Sequence, residues 1–212
     1  MTIRILIADD HAIVRHGLCR LIALTSDIEL AGEARDGWEV VDKVRAGGFD
    51  LLVTDMSMPG PNGPELVKRV RAENAVLPIL VLSMHGESQI AARAIKAGAT
   101  GYLTKDSDPD MLLDAIRRCA AGRHFIEPEL ASRLVFESER SSGADLHARL
   151  SDREFQIFLL LAQGLGVNEI AEKMHISPKT VSTHKFRLMQ KMAFESLSEL
   201  VRYALRHRLI ES

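Results

Sequence analysis

Residues 51–60 read LLVTDMSMPG: four apolar or β-branched residues, one carboxylate, then a Met/Pro/Gly turn. Leu51, Leu52, Val53 and Thr54 follow one another without helical spacing, which is the pattern of a strand buried on both faces. Such a strand delivers Asp55 to its C-terminal end. In open parallel sheets ligand chemistry collects at that end, so the residues closing the other strands decide what Asp55 can do.

Working outward, short apolar runs at Ile3–Ala8, Glu29–Ala34, Ile79–Ser83 and Gly101–Thr104 predict four more strands. Between and after them, residues 12–24, 38–45, 63–73, 88–96 and 109–121 carry apolar side chains three or four positions apart and predict helices. Gly47-Gly48, Gly98 and Gly122 punctuate helix ends. Five βα units of this length predict an α/β domain: a doubly wound, five-stranded parallel sheet covered by helices on both faces. Its range is taken as residues 1–121.

Four of the five predicted strands end in polar residues at the same edge: Asp9 and Asp10, Asp55, Ser83 and Lys105. Carboxylates gathered on one rim repel one another, and a hard divalent ion with oxygen ligands, Mg²⁺ by preference, relieves that repulsion. Lys105 contributes an ammonium and Ser83 a hydroxyl. Together they form a clamp for phosphoryl oxygens, with Asp55 as the nucleophile that becomes an acyl phosphate. Asp55 alone would be an ordinary residue closing a strand; the joint placement favours the clamp.

Beyond Gly122 the pattern weakens, with a short helix expected to begin near Pro128. Glu137–Ala148, ESERSSGADLHA, is polar and rich in Ser and charge, and residues 122–148 are read as a linker. A helical pattern then resumes over residues 149–212, predicting an all-α, four-helix domain. Ser151 is a candidate N-cap with Glu154 completing a capping box. Helices are expected at 152–163, 168–174, 178–192 and 197–208. Ser177 caps the third of these and Pro178 occupies its first turn. Along it Val181, His184, Leu188 and Met192 form the inward face. The outward face is cationic and hydroxylic, a composition that meets phosphates and base edges in a major groove. Lys179, Thr180, Lys185, Arg187 and Lys191 are candidate phosphate contacts, and Ser182, Thr183 and Phe186 candidate base contacts. An alternative for such a face is a merely solvated surface.

These motifs carry a resemblance. Residues 3 to about 121 resemble the flavodoxin-like receiver domain of bacterial two-component response regulators. The residues that match are the acidic pair Asp9 and Asp10, the phosphoacceptor Asp55, the small hydroxyl Ser83, the aromatic switch Tyr102 and the lysine Lys105. The resemblance implies that Asp10, Asp55 and the backbone carbonyl of Ser57 ligate Mg²⁺, with Asp9 helping directly or through water. It also implies a two-state switch in which the phosphoryl oxygens recruit Ser83, the following loop moves inward, and Tyr102 fills the vacated space. Half-buried packing on an edge strand is the alternative for Tyr102. Asp106 stands where many receivers have proline. Leu150–Met192, LSDREFQIFLLLAQGLGVNEIAEKMHISPKTVSTHKFRLMQKM, resembles the LuxR-type helix-turn-helix. The whole is similar to the NarL/FixJ family, except that Ala193-Phe194-Glu195-Ser196 replaces its usual Gly/Asn-bearing segment. The last helix, with Leu197, Leu200, Val201, Ala204 and Leu205 in a stripe, is the expected dimer contact or a plain core face.

The resemblance implies a phosphorylation-controlled transcription regulator rather than an enzyme. Its expected partners are double-stranded DNA, a sensor histidine kinase, a second copy of the chain when phosphorylated, and RNA polymerase. Charge agrees in sign: the chain carries −2 overall, but residues 148–212 carry +3 and the remainder −5. Cys19 and Cys119 match no metal-ligand spacing and read as small core residues in a reducing compartment. No signal peptide is read at the start, and no apolar stretch approaches the roughly 18 residues of a membrane span. A cytoplasmic protein is expected. Two other classes stay in play. A Mg²⁺-dependent phosphatase with an aspartyl-phosphate intermediate commonly needs a second Asp two residues on, where this chain has Ser57. A phosphorylation-independent DNA-binding protein with a vestigial receiver would not need Asp9, Asp10, Ser83 and Lys105 intact.

Overall fold

Alternation of apolar runs with helix-spaced segments builds the first half of the chain. In the computed structural model the elements are β1 (Ile3–Ala8), α1 (Ala12–Ala23), β2 (Ile28–Ala34), α2 (Gly37–Ala46), β3 (Leu51–Asp55), α3 (Gly63–Glu73), β4 (Ile79–Ser83), α4 (Ser88–Lys96), β5 (Gly101–Thr104) and α5 (Pro109–Ala120). The structure describes residues 2–84, 88–140, 146–207 and 209–210. The chain divides into two compact units, Met1–Leu134 and Val135–Ser212.

In the first unit the strands form one parallel sheet. Their order is β2-β1-β3-β4-β5-β6, β6 being Phe125–Ile126. The order turns back at β1, so the ends of β1 and β3 flank the switch point where α/β sheets place their ligands. The register pairs Ala8 with Thr54, Asp55 with Leu82, and Ser83 with Thr104, which brings the polar strand ends level. Every residue of β3 and β4 is buried, because helices cover both sheet faces. One core contains Leu6, Leu52, Leu66, Val70 and Tyr102; the other contains Ile5, Val53, Leu103, Ile116 and Cys119. Each such aliphatic side chain contributes roughly 1.5–3 kcal/mol on burial. Cys19 and Cys119 are free thiols, and burial pushes Cys119 up to about 12, an unreactive packing group.

Two features differ from expectation. The sheet has a sixth strand, since β6 pairs in parallel with Gly101 and Tyr102 of β5. Two residues are too few to show a period, and only the neighbouring edge makes them a strand. The segment expected to be a linker therefore belongs in part to the first unit: after β6 comes α6 (Pro128–Arg140), whose Leu130 is fully buried in the core that holds Tyr102. Of the polar stretch 137–148, residues 137–140 continue α6 and a 3₁₀ turn covers Leu146–Arg149. Residues 141–145 of that linker, and residues 85–87 of the loop expected to move after Ser83, lie outside the described residues.

The second unit holds α7 (Asp152–Ala162), α8 (Val167–Lys173), α9 (Pro178–Met192) and α10 (Leu197–Arg206). Ser151 and Glu154 form the expected capping box on α7. Phe155, Phe158, Ile170, Val181, Leu188, Leu200 and Ala204 are buried as the core. The stripe on α10 is split: Leu200 and Ala204 are core, whereas Leu197 and Leu205 are exposed. No helix among the described residues is long and apolar enough to cross a membrane.

Candidate functional site

The pocket forms because β1, β3, β4 and β5 end together. Asp9 lies at the end of β1 and is 1% exposed; Asp55, the last residue of β3, is 4% exposed. Lys105 follows β5, and its Nζ donates to Asp9 Oδ2 at 2.7 Å and lies 3.0 Å from Asp55 Oδ1. Its backbone N–H donates to the Ser83 carbonyl at 2.8 Å, placing the lysine beside the buried Ser83. Asp10 is mostly buried and belongs to the same group: Asp9, Asp10, His11 and Asp55 each offer a ligand atom within 4.8 Å of the others. Ser57 lies on the exposed turn after β3, and its backbone N–H donates to Asp55.

Burial pushes the Asp55 carboxyl up to about 6, with Lys105 pulling it down and the Asp9 charge raising it. At neutral pH it is chiefly the carboxylate, which is the nucleophilic form. The donor set is oxygen-rich, compact and short of positive charge. Those properties fit a hard divalent cation, with Asp9, Asp10 and Asp55 as the side chains that would hold it.

Tyr102 is wholly buried in the core with Ala91, Ala94 and Leu130. The alternative of a half-buried ring on an edge strand does not hold, because β6 lies outside β5. Three contributors were not singled out in the sequence. His11 places Nδ1 2.9 Å from Asp10 Oδ1 and donates its backbone N–H to Asp9; its position directly after two aspartates was the available signal. Arg15 is buried on α1, donates to the Asp9 carbonyl at 2.7 Å and pairs with Glu33 at 3.1 Å. Its place on the inward spacing of Leu18 and Ile22 was the signal there. The third, Glu127, binds Thr104 next to Lys105 and had no local signal.

In the second unit α8 and α9 meet through a tight turn in which His175 takes the left-handed conformation, φ 51°. Ser177 Oγ accepts the Thr180 N–H at 3.1 Å, and Pro178 sits at the helix start, as expected. Lys179, Thr180, Ser182, Thr183, Phe186 and Arg187 are exposed along α9, and Lys185 is half-buried. Two candidates have other work. The Thr180 hydroxyl is hydrogen bonded to Ser177. Lys191 is itself exposed, but its Nζ donates to the buried Glu154 at 2.6 Å, so its ammonium is already engaged by a carboxylate. Burial pushes the Glu154 carboxyl up, but Lys191 and the Ser151 backbone and hydroxyl outweigh that and hold it below the usual carboxylate range. His184, expected in the core, is half-buried, and burial together with the Arg153 charge lowers its pKa.

Comparison with known proteins matches residues 5–117 to the response regulator receiver domain and residues 148–204 to the bacterial regulatory proteins of the luxR family. Response regulator UvrY of Escherichia coli O6:H1 is 36% identical over 208 residues, covering 98% of this chain and 95% of UvrY. Among solved structures, RcsB from Salmonella enterica serovar Typhimurium, bound to a promoter in the presence of the phosphomimetic BeF₃⁻, is 30% identical with a TM-score of 0.62; the match covers 96% of this chain and 98% of RcsB. A structure of two RcsB dimers bound to two parallel DNAs is 29% identical with a TM-score of 0.60, covering 97% and 98%.

Proposed function

This chain belongs to the response regulators of two-component signalling, in the NarL/FixJ family with a receiver and a LuxR-type DNA-binding domain, and from that premise we propose that Asp55 accepts a phosphoryl group from a sensor histidine kinase and thereby controls DNA binding. The convergence of Asp9, Asp10, Asp55 and Lys105 carries the reading. An Asp55 carboxylate oxygen attacks phosphorus, the P–N bond of the donor phosphohistidine breaks as the P–O bond forms, and the freed imidazole takes up a proton. Lys105 orients Asp55 through Oδ1 and neutralises charge on the phosphoryl oxygens; Ser83 donates its hydroxyl to one of them. When bound, Mg²⁺ held by Asp9, Asp10, Asp55 and the Ser57 carbonyl screens the carboxylates from the incoming phosphate.

On the output side, Lys179 and Arg187, with Lys185 beside them, contact DNA phosphates, while Ser182, Thr183 and Phe186 face base edges. The exposed Leu197 and Leu205 on α10 favour a dimer contact there, and a dimeric reader requires two-fold symmetric half-sites. The protein acts in the cytoplasm, with RNA polymerase as a downstream partner. Support for the DNA and dimer assignments comes from the RcsB complexes.

The test is incubation with Mg²⁺ and a small phosphodonor, followed by intact mass and DNA binding, for the wild type and Asp55→Asn. A phosphoryl adduct confined to the wild type, accompanied by tighter DNA binding, is the expected result. An adduct on Asp55→Asn, or DNA binding indifferent to the adduct, would overturn the proposal. Sustained turnover of phosphate esters would favour the phosphatase class instead.

A further inference from the structure

Among the described residues, Lys105 is the one cation that touches both Asp9 and Asp55 in the pocket, and what fixes its backbone is outside the strands already discussed. The residue before it, Thr104, donates its Oγ1 hydroxyl to Glu127 Oε2 at 2.8 Å, and its backbone N–H lies 3.3 Å from the same oxygen. Thr104 Oγ1 also meets Ser107 Oγ at 2.8 Å, and Ser107 N–H donates to the Thr104 carbonyl at 3.2 Å, closing the turn that carries Lys105. Glu127 is the residue before α6. Its N–H donates to the Tyr102 carbonyl and its own carbonyl accepts the Ala131 N–H of the first turn of α6. Two residues of one helix entrance, Glu127 and the buried Leu130, therefore touch both sides of the switch: the lysine turn and the core around Tyr102.

Resting on the phosphoacceptor reading, we propose that Glu127 is a positioning residue for the phosphoryl site: by holding Thr104 it sets Lys105, and because it also opens α6, the seating of that helix and the binding of a phosphoryl group at Asp55 are linked. Glu127 touches neither Asp55 nor Lys105 Nζ; it acts through the Thr104–Ser107 turn. Linkage is reciprocal: whatever α6 does to the lysine turn, a phosphoryl group held by Lys105 does to α6. The path from phosphate to connector is then one carboxylate long.

The probe is beryllium fluoride with Mg²⁺, a phosphoryl analogue, on the full chain. Its binding is followed by the fluorescence of Trp38, the chain's one tryptophan, which stands against Gly60 in the turn after Asp55. Thr104→Val and Glu127→Ala are each expected to weaken beryllofluoride binding by about tenfold, the loss of one hydrogen bond to a charged group. The double variant should lose less than the product of the two single losses, because both remove the Thr104 Oγ1–Glu127 hydrogen bond while each also removes one contact of its own, and Thr104→Ser should restore the wild-type value. Hydrogen exchange supplies the second readout: beryllofluoride should change protection of residues 128–134 in the wild type and not in Thr104→Val. Wild-type affinity in Thr104→Val, whatever its melting temperature, would reduce Glu127 to a structural anchor and sink the proposal. If Glu127→Ala does not fold, the Thr104 pair decides. Failure of the wild type itself to bind the analogue any better than Asp55→Asn is a different outcome, since it removes the phosphoacceptor reading and this inference with it.

Discussion

The acid pocket and the outer face of α9 are both charged surfaces, yet they are built in opposite ways. In the pocket the side chains of Asp9, Asp55 and Lys105 are all less than a tenth exposed and every one touches another. On α9, Lys179 and Arg187 stand in solvent. A buried charge is held in one place by the cost of leaving it unpaired, which gives a site with fixed geometry and strong dependence on each member. An exposed charge costs little to keep and little to lose, so a reader made of them works by sum and is sensitive to salt. Under the proposed function, the first kind of surface senses and the second binds. Lys191 marks the border: it is exposed on α9 like Lys179 and Arg187, but it pairs with a buried carboxylate, Glu154.

The largest effect expected from that contrast is in the pocket. Lys105→Met leaves Asp9 and Asp55 facing each other without a cation, and unfolding free energy at neutral pH should fall by about 3–5 kcal/mol. Urea melts would measure it, with added Mg²⁺ recovering part of the loss. A change below about 0.5 kcal/mol, the range of ordinary surface substitutions, would mean that the pocket charges are not desolvated as described.

Next comes pH. The Asp55 carboxyl is raised from 3.8 to about 6 in the folded chain, so the folded state binds the proton more tightly than the unfolded one. Its stabilising contribution is fully present below 3.8 and is lost as pH rises through about 6. In Mg²⁺-free buffer Asp55→Asn should therefore gain on the wild type across that window, reaching about 1–3 kcal/mol at pH 7. Parallel stability curves for the two proteins would contradict it.

The reader supplies a split between neighbours on one helix. Arg187→Ala should weaken DNA binding and reduce the slope of log affinity against log salt by about 1, with little change in stability. Lys191→Met should do the reverse, lowering the melting temperature through the stranded Glu154 while leaving the salt slope in place. A reduced slope for Lys191→Met would return that lysine to the phosphate contacts.

The smallest effect concerns the loop after α9, where Ala193 occupies the left-handed region at φ 53°. A side chain there costs roughly 1–2 kcal/mol, and glycine returns part of that gain as unfolded-state entropy. Ala193→Gly should stabilise the second unit by about 0.5–1 kcal/mol, read from thermal melts. Destabilisation would show that the loop is held by contacts of the alanine methyl.

Local pattern was enough for much of this. Runs such as Leu51–Thr54 without helical spacing read as buried strands, Ser151 with Glu154 reads as a helix start, and the polar residues closing successive strands share an edge once the strands are parallel. The sequence by itself therefore determined the α/β class, the helix-turn-helix and the grouping of Asp9, Asp10, Asp55, Ser83 and Lys105, because each follows from period and spacing along the chain. Tertiary structure alone decided that Phe125–Ile126 is a strand, that Lys191 answers Glu154, that Arg15 holds the Asp9 carbonyl and that Glu127 holds Thr104. All but the Arg15 contact, which spans six positions, join residues far apart in sequence, and burial, which sets what such a contact is worth, is a property of what packs around a residue and not of its neighbours in the chain.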